Sequence, residues 1–267
     1  MRKADQNDLQ IESCSRRAML KMGAGGIALT ALSSLQAVHA ADQHGIRAVA
    51  FDGIALFDIR PTAALAEELF PGRGIEFTNA WRTRQFEYTW LRTMMNEYAD
   101  FHQVSESALI FAARLLKLDL TGEKRERMMD SLYKLKAWPD VLPALTTLKK
   151  QGIRMTLLSN FTTEMLESTT RNSGLEAYLE DPLSTDLVKA YKPDPRAYQM
   201  AIDAFKLPKE EVAFVAFAGW DAAGAKRFGY NTYWANRLGL PAEELGTATD
   251  FTSNSLADLK NFCRQKN

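Results

Sequence analysis

The sequence predicts an α/β fold: a parallel sheet with helices on both faces, interrupted by an all-helical insertion. Three observations predict it. Short apolar runs at 46–51, 154–158 and 212–216 are bounded by turn-forming or polar residues, as buried parallel strands are. Helical patterns alternate with the later runs. Between the first run and the second, helical patterns follow one another with no strand among them, which reads as a separate cap domain.

The first run ends at Phe51-Asp52-Gly53. In open α/β sheets ligands bind beyond the carboxyl ends of the strands, so Asp52 falls where chemistry is expected. Helical spacing then covers 62–70, and Pro71-Gly72-Arg73-Gly74 breaks it. A long pattern rich in Trp, Phe, Tyr and Met spans about 77–98; further helices are expected at 105–116 and 124–136. The α/β rhythm resumes at Trp138-Pro139. A helix over 141–150 ends at Gly152, a strand over 154–160 ends in Ser159-Asn160, and Thr162 or Thr163 caps the next helix. A short strand at 183–185, a helix over 196–205, the strand 212–216, a helix through Phe228, a short strand at 231–234 and a final helix over 255–262 complete the chain. The predicted domains are a core of 46–59 plus 138–267, Rossmann-like, and a helical cap of 60–137.

The 267 residues carry 33 basic and 33 acidic side chains, so no net charge draws the protein to nucleic acid or to a membrane surface. Residues 1–40 read differently. Arg16-Arg17 precede an uncharged Gly/Ala/Leu-rich stretch over 22–38, and Val38-His39-Ala40 has small residues where a signal peptidase reads. This resembles a twin-arginine signal peptide, which implies the twin-arginine export machinery as a partner and a periplasmic protein. Cleavage after Ala40 would leave Cys263 as the lone cysteine, with no intramolecular disulfide. Only His44 and His102 would remain, too little for a histidine triad or a zinc site.

Several predicted strand ends carry polar residues: Asp52, Ser159-Asn160 and Asp221, with Lys192 in the turn that opens the 196–205 helix. Converging at one sheet edge, they suggest a single site. Asp52 can act as a carboxylate nucleophile, forming an ester that water then cleaves. Lys192 would keep the carboxylates ionised, Ser159 and Asn160 can donate hydrogen bonds, and Asp221 can hold or activate the water. The plainer alternatives stay open: Asp52 and Asp221 as helix caps, Lys192 as a solvated charge, Ser159 and Asn160 as turn residues.

The order Phe51-Asp52, Leu158-Ser159-Asn160, Tyr191-Lys192-Pro193-Asp194 and Trp220-Asp221 resembles the haloacid dehalogenase superfamily. The stretch from Trp81 to Arg92, together with Phe70-Pro71-Gly72-Arg73-Gly74 and Gly219-Trp220-Asp221-Ala222, is similar to the type II (S)-2-haloacid dehalogenases. The resemblance covers about residues 47–262. It implies hydrolysis of short (S)-2-haloacids to 2-hydroxy acids, with no cofactor or metal and a likeness to homodimeric enzymes. It makes Asp52 the nucleophile, Lys192 its support and Asp221 the third catalytic residue. Arg82 would face the halide or the substrate, Asn160 the halide and Ser159 the substrate carboxylate. Tyr198 would stand near the substrate, and Phe86, Phe101 and Trp220 would form an apolar wall; ordinary packing is the plainer reading of each of these three.

Three departures qualify the resemblance. The loop after Asp52 is one residue short and contains no Ser or Thr up to Asp58. The usual Ser-Ser-Asn-Ala before the tryptophan is Ala216-Phe217-Ala218-Gly219, and the usual Asn-Gly is Asn160-Phe161. The groups that assist water are thinned, which implies slow hydrolysis of the ester. Two other readings compete. An exported binding protein would hold a small carboxylate without turning it over. A magnesium-dependent phosphatase of the same superfamily would need an acid two residues after the nucleophile, where this chain has Ile54.

Overall fold

A computed structural model of the chain describes residues 45–265; the signal-peptide stretch read from residues 1–40 lies outside them. Strand β1 (Ala48–Phe51) is the middle of a six-stranded sheet. Its four residues are all fully buried, because their side chains alternate between two cores. Val49 and Phe51 face one core; Ala48 and Ala50 face the other. A one-turn helix α1 (Gly53–Leu56) follows, then a two-residue strand β2 (Phe57–Asp58).

Four helices come next: α2 (Arg60–Leu69), α3 (Gly74–Met95), α4 (Phe101–Leu115) and α5 (Gly122–Ser131). The buried stripe of α3 is Phe77, Trp81, Gln85 and Thr89, four residues apart, so one face packs for about three turns. Trp81 Nε1 donates to the Ser105 carbonyl at 2.8 Å and Gln85 Nε2 to Ser105 Oγ at 2.5 Å, which ties α3 to α4. Gly74 is required where α2 meets α3, because a Cβ there would lie 2.3 Å from the Glu67 backbone.

The sheet resumes through β3 (Lys136–Ala137), which pairs antiparallel with β2 in a ribbon that the sequence reading lacked. Then follow α6 (Val141–Lys150), β4 (Arg154–Ser159), α7 (Thr163–Asn172), β5 (Leu183–Ser184), α8 (Pro195–Phe205), β6 (Val212–Ala216), α9 (Gly219–Phe228), β7 (Asn231–Ala235), β8 (Phe251–Ser253) and α10 (Leu259–Gln265). The strand order is β5-β4-β1-β6-β7-β8, all parallel. This is the Rossmann-like doubly wound sheet expected.

Further details differ from expectation: α4 starts at Phe101 rather than at 105, and α5 ends at Ser131 rather than at 136, where the chain enters β3. Strand β8 was not foreseen: its three residues are only partly buried, so they carry no apolar run. The last helix begins at Leu259 rather than at 255, because the chain before it is tethered by the Leu256 N–H donating to Asp140 Oδ2 at 2.6 Å.

The loop after Asp52 is held by its carbonyls, since a one-turn helix satisfies almost none of its own. The Gly53 carbonyl accepts from the Phe57 N–H. The Ile54 carbonyl accepts from Trp138 Nε1 at 3.2 Å and the Leu56 carbonyl from the Trp138 N–H at 3.0 Å. The Ala55 carbonyl takes two donors from Arg237, Nε at 3.1 Å and Nη2 at 2.9 Å. Arg237 is itself paired with Asp140 at 3.0 Å and stacks over Trp138. Removing one member of a buried ion pair leaves the other charge and here a carbonyl unpaired. Arg237→Met is therefore expected to lower stability by about 3 kcal/mol, the low end of such losses because Asp140 keeps some contact with water. A chemical-denaturation midpoint measures it.

Candidate active site

Asp52 follows the last residue of the central strand, and its backbone N–H still bonds the Val215 carbonyl at 2.9 Å. The carboxylate therefore projects from the carboxyl edge of the sheet, where β4 and β6 also end. Its Oδ2 accepts from the Ile54 N–H at 3.1 Å, which caps α1. Its Oδ1 accepts from Lys192 Nζ at 2.7 Å. The loop lacks a hydroxyl, and a backbone N–H fixes the second oxygen. The glycine after Asp52 is needed for closeness rather than for its φ: a Cβ on Gly53 would lie 2.9 Å from Ser159 Oγ.

Lys192 is buried between two acids. Its Nζ also donates to Asp221 Oδ2 at 2.6 Å, and its N–H donates to Asn160 Oδ1 at 3.1 Å. Asp221 lies inside the first turn of α9, whose N-cap position is Ala218, so it does not cap the helix. Its Oδ1 instead accepts from the Tyr198 hydroxyl at 2.7 Å. Burial pushes the Asp221 carboxyl up to about 6; Lys192 opposes that rise and Asp52 adds to it. Burial pulls the Lys192 ammonium down, but the two carboxylates outweigh it and hold it above its usual range.

A cavity of about 20 Å³ adjoins these groups, lined by Asp52, Ile54, Phe86, Phe101, Ser159, Asn160, Phe161, Lys192, Phe217, Ala218, Trp220 and Asp221. Asn160 Nδ2 is buried with no hydrogen-bond partner among the described residues. Ser159 Oγ accepts from the Phe161 N–H at 3.2 Å. Phe86 packs edge-on to Trp220 at 5.1 Å and Phe101 lies 5.1 Å from Phe161, so rings from α3 and α4 cover the sheet edge.

Two residues expected at the substrate stand elsewhere. Tyr198 is fully buried behind Asp221 and not on the cavity wall. Its OH orients the acid, so it acts through Asp221. Arg82 does not line the cavity either. It is half-buried on α3 one turn before Phe86, with a hydrogen bond to Asn79 Oδ1 at 3.3 Å and no carboxylate partner among the described residues. Burial lowers its pKa.

This arrangement fits what the chain is similar to. Residues 46–229 match the sequence profile of haloacid dehalogenase-like hydrolases. The chain belongs to that family. An (S)-2-haloacid dehalogenase of Pseudomonas sp. (strain YL) is 39% identical over 212 residues, 79% of this chain and 91% of that one. A haloacetate dehalogenase of Moraxella sp. (strain B) is 38% identical over 208 residues, 78% of this chain and 93% of that one. Among solved structures, an L-2-haloacid dehalogenase superposes with a TM-score of 0.81 at 37% identity, covering 82% of this chain and 99% of its own. The Xanthobacter autotrophicus enzyme with covalently bound chloropropionic acid gives 0.76 at 30% identity, covering 82% and 98%.

Sequence reasoning missed four contributors to the site of this haloacid dehalogenase-like hydrolase. Ile54 and Gly53 serve through backbone and size, which residue chemistry does not advertise. Phe161 and Phe217 stand in the sequence only as departures from the family pattern, and the structure puts both rings on the wall. Asp221 also sets a pH dependence. An acid whose pKa rises on folding, from 3.8 to about 6, contributes stability that is full below pH 4 and lost as pH rises past 6. Unfolding midpoints measured between pH 4 and 7 are expected to show this fall, and Asp221→Asn is expected to flatten it.

Proposed function

We propose that the protein hydrolyses short (S)-2-haloacids to 2-hydroxy acids through an ester on Asp52. One observation carries the reading. A carboxylate fixed at both oxygens, one by an ammonium and one by an N–H, faces a ring-lined cavity that also holds an unpartnered amide donor. An Asp52 oxygen attacks carbon 2, the carbon–oxygen bond forms as the carbon–halogen bond breaks, and the configuration inverts. The halide leaves with the bonding electron pair toward Asn160 Nδ2. Water then attacks the ester carbonyl of Asp52 and gives one proton to Asp221; the acyl carbon–oxygen bond to the substrate breaks, the second proton of the water passes to the departing alkoxide, and the 2-hydroxy acid leaves with Asp52 restored as a carboxylate. Both Asp221 oxygens are engaged, yet each retains a lone pair for that proton. A base ionising near 6 is charged at neutral pH and close enough to it to accept and release a proton.

The substrate is an anion entering a pocket where one ammonium serves two carboxylates. Arg82, half-buried and with no carboxylate partner among the described residues, supplies the missing positive charge once the cap helices α2–α5 shift to admit the substrate. Ser159 assists it. Ala216 and Ala218 leave the water with fewer fixed donors, so ester hydrolysis is the slower half of the cycle; losing one such donor costs on the order of 10²–10³ in rate.

A halide time course with 2-bromoacetate and (S)-2-chloropropionate tests both points. The expected course is a burst of one halide per site followed by slower turnover, with Asp52→Asn releasing none. Release by the mutant at the same rate would refute the nucleophile, and a linear course would refute the slow second step.

We also infer export by the twin-arginine route and pairing of two copies through the exposed Leu91, Met94 and Met95 of α3. Periplasmic protein beginning at Ala41, with a light-scattering mass of two chains, is the expected result.

A further inference from the structure

The cavity beside Asp52 has room for about one water molecule. Four of its wall residues are phenylalanines, and two of them, Phe161 and Phe217, follow sheet strands and take no part in the charge network. Phe161 follows β4, and its backbone is pinned on both sides. Its N–H donates to Ser159 Oγ at 3.2 Å and its carbonyl accepts from Ser184 Oγ at 2.7 Å. Its ring is 3% exposed and packs on Phe101 of α4. Phe217 follows β6, and its carbonyl accepts from Trp234 Nε1 at 2.9 Å. These bonds fix the backbone from which each ring projects, and close packing around the rings holds them on the wall.

Even a two-carbon haloacid overfills this space, so binding must draw the cap helices back from the sheet edge. Every further carbon on the acid demands more, against two rings whose backbones do not yield. Close-packed walls resist such overfilling. Resting on the dehalogenase reading above, we propose that Phe161, with Phe217, sets a size limit on the substrate. The site accepts short 2-haloacids, is fastest with the two-carbon acid, and turns over (S)-2-haloacids that carry a carbon substituent at carbon 2 more slowly. One methylene in an apolar pocket is worth roughly 10- to 200-fold in kcat/KM.

The test compares 2-bromoacetate with (S)-2-bromopropionate in the wild type, Phe161→Gly and Phe217→Ser. The wild type is expected to favour the two-carbon acid by at least roughly 10-fold. Each variant is expected to shrink that ratio, chiefly by raising kcat/KM for the three-carbon acid. Equal ratios in the wild type and in both folded variants would overturn the size limit, as would a wild type that prefers the longer acid. Circular dichroism establishes folding, and Phe161→Leu replaces the glycine variant if that one unfolds.

Calorimetric binding of glycolate and (R)-lactate to Asp52→Asn and to Asp52→Asn/Phe161→Gly separates this proposal from the reaction. Absence of halide from either substrate would refute dehalogenation. A glycolate preference relaxed by Phe161→Gly would still uphold the size limit. Equal binding of the two acids, or binding of neither, would refute the limit as well.

Discussion

The site depends on one buried ammonium. Lys192 Nζ sits 2.7 Å from one carboxylate and 2.6 Å from another, with its own side chain 1% exposed. Taking three charges out of water costs several kcal/mol for each ion, and an ammonium between two acids offsets that only with close geometry and full hydrogen bonding. Both conditions are met: the Lys192 N–H bonds Asn160, Asp221 takes the Tyr198 hydroxyl and Asp52 takes the Ile54 N–H. Because one base serves two acids, one acid is left poised. Asp52 stands at the cavity with partial access to water and suits attack, while Asp221, deeper and raised by burial, suits proton uptake.

Around that centre the sheet and the inserted helices divide the work. The sheet supplies charge, because its three central strands end at the same edge. The helices supply dryness, through Phe86 on α3 and Phe101 on α4. A dry wall strengthens the electrostatics beneath it. The second support is Arg237, far along the chain, which holds the carbonyls of the nucleophile loop together with Trp138. It does for the loop backbone what Lys192 does for the carboxylates.

The departures from the family pattern now have a physical meaning. Losing the loop hydroxyl leaves the Asp52 carboxylate oriented, because α1 caps onto Asp52 through a backbone N–H. Losing polar side chains at Ala216 and Ala218 is not compensated in the same way, since methyl groups donate nothing to water. Gaining Phe161 and Phe217 trades volume for apolar wall. The departures thus fall on the donors available to water and on the volume beside Asp52, while the contacts of the Asp52 carboxylate are kept.

The sequence by itself determined the sheet, the helical insertion and most of the charged site. Apolar runs that lead into Asp52, Ser159-Asn160 and, after a short loop, Trp220-Asp221 read as buried strands with polar mouths, and each run is a strand. Burial of a strand is a local property of its side chains, so it is legible residue by residue. Tertiary structure decided what depends on distance between remote segments. It put Tyr198 behind Asp221 and off the cavity wall, left Arg82 off that wall too, recruited Arg237 to the loop after Asp52 and added the weakly apolar β8. It also fixed the volume left beside Asp52. That volume is the small remainder after several rings from different elements have packed, and no single stretch of sequence contains it.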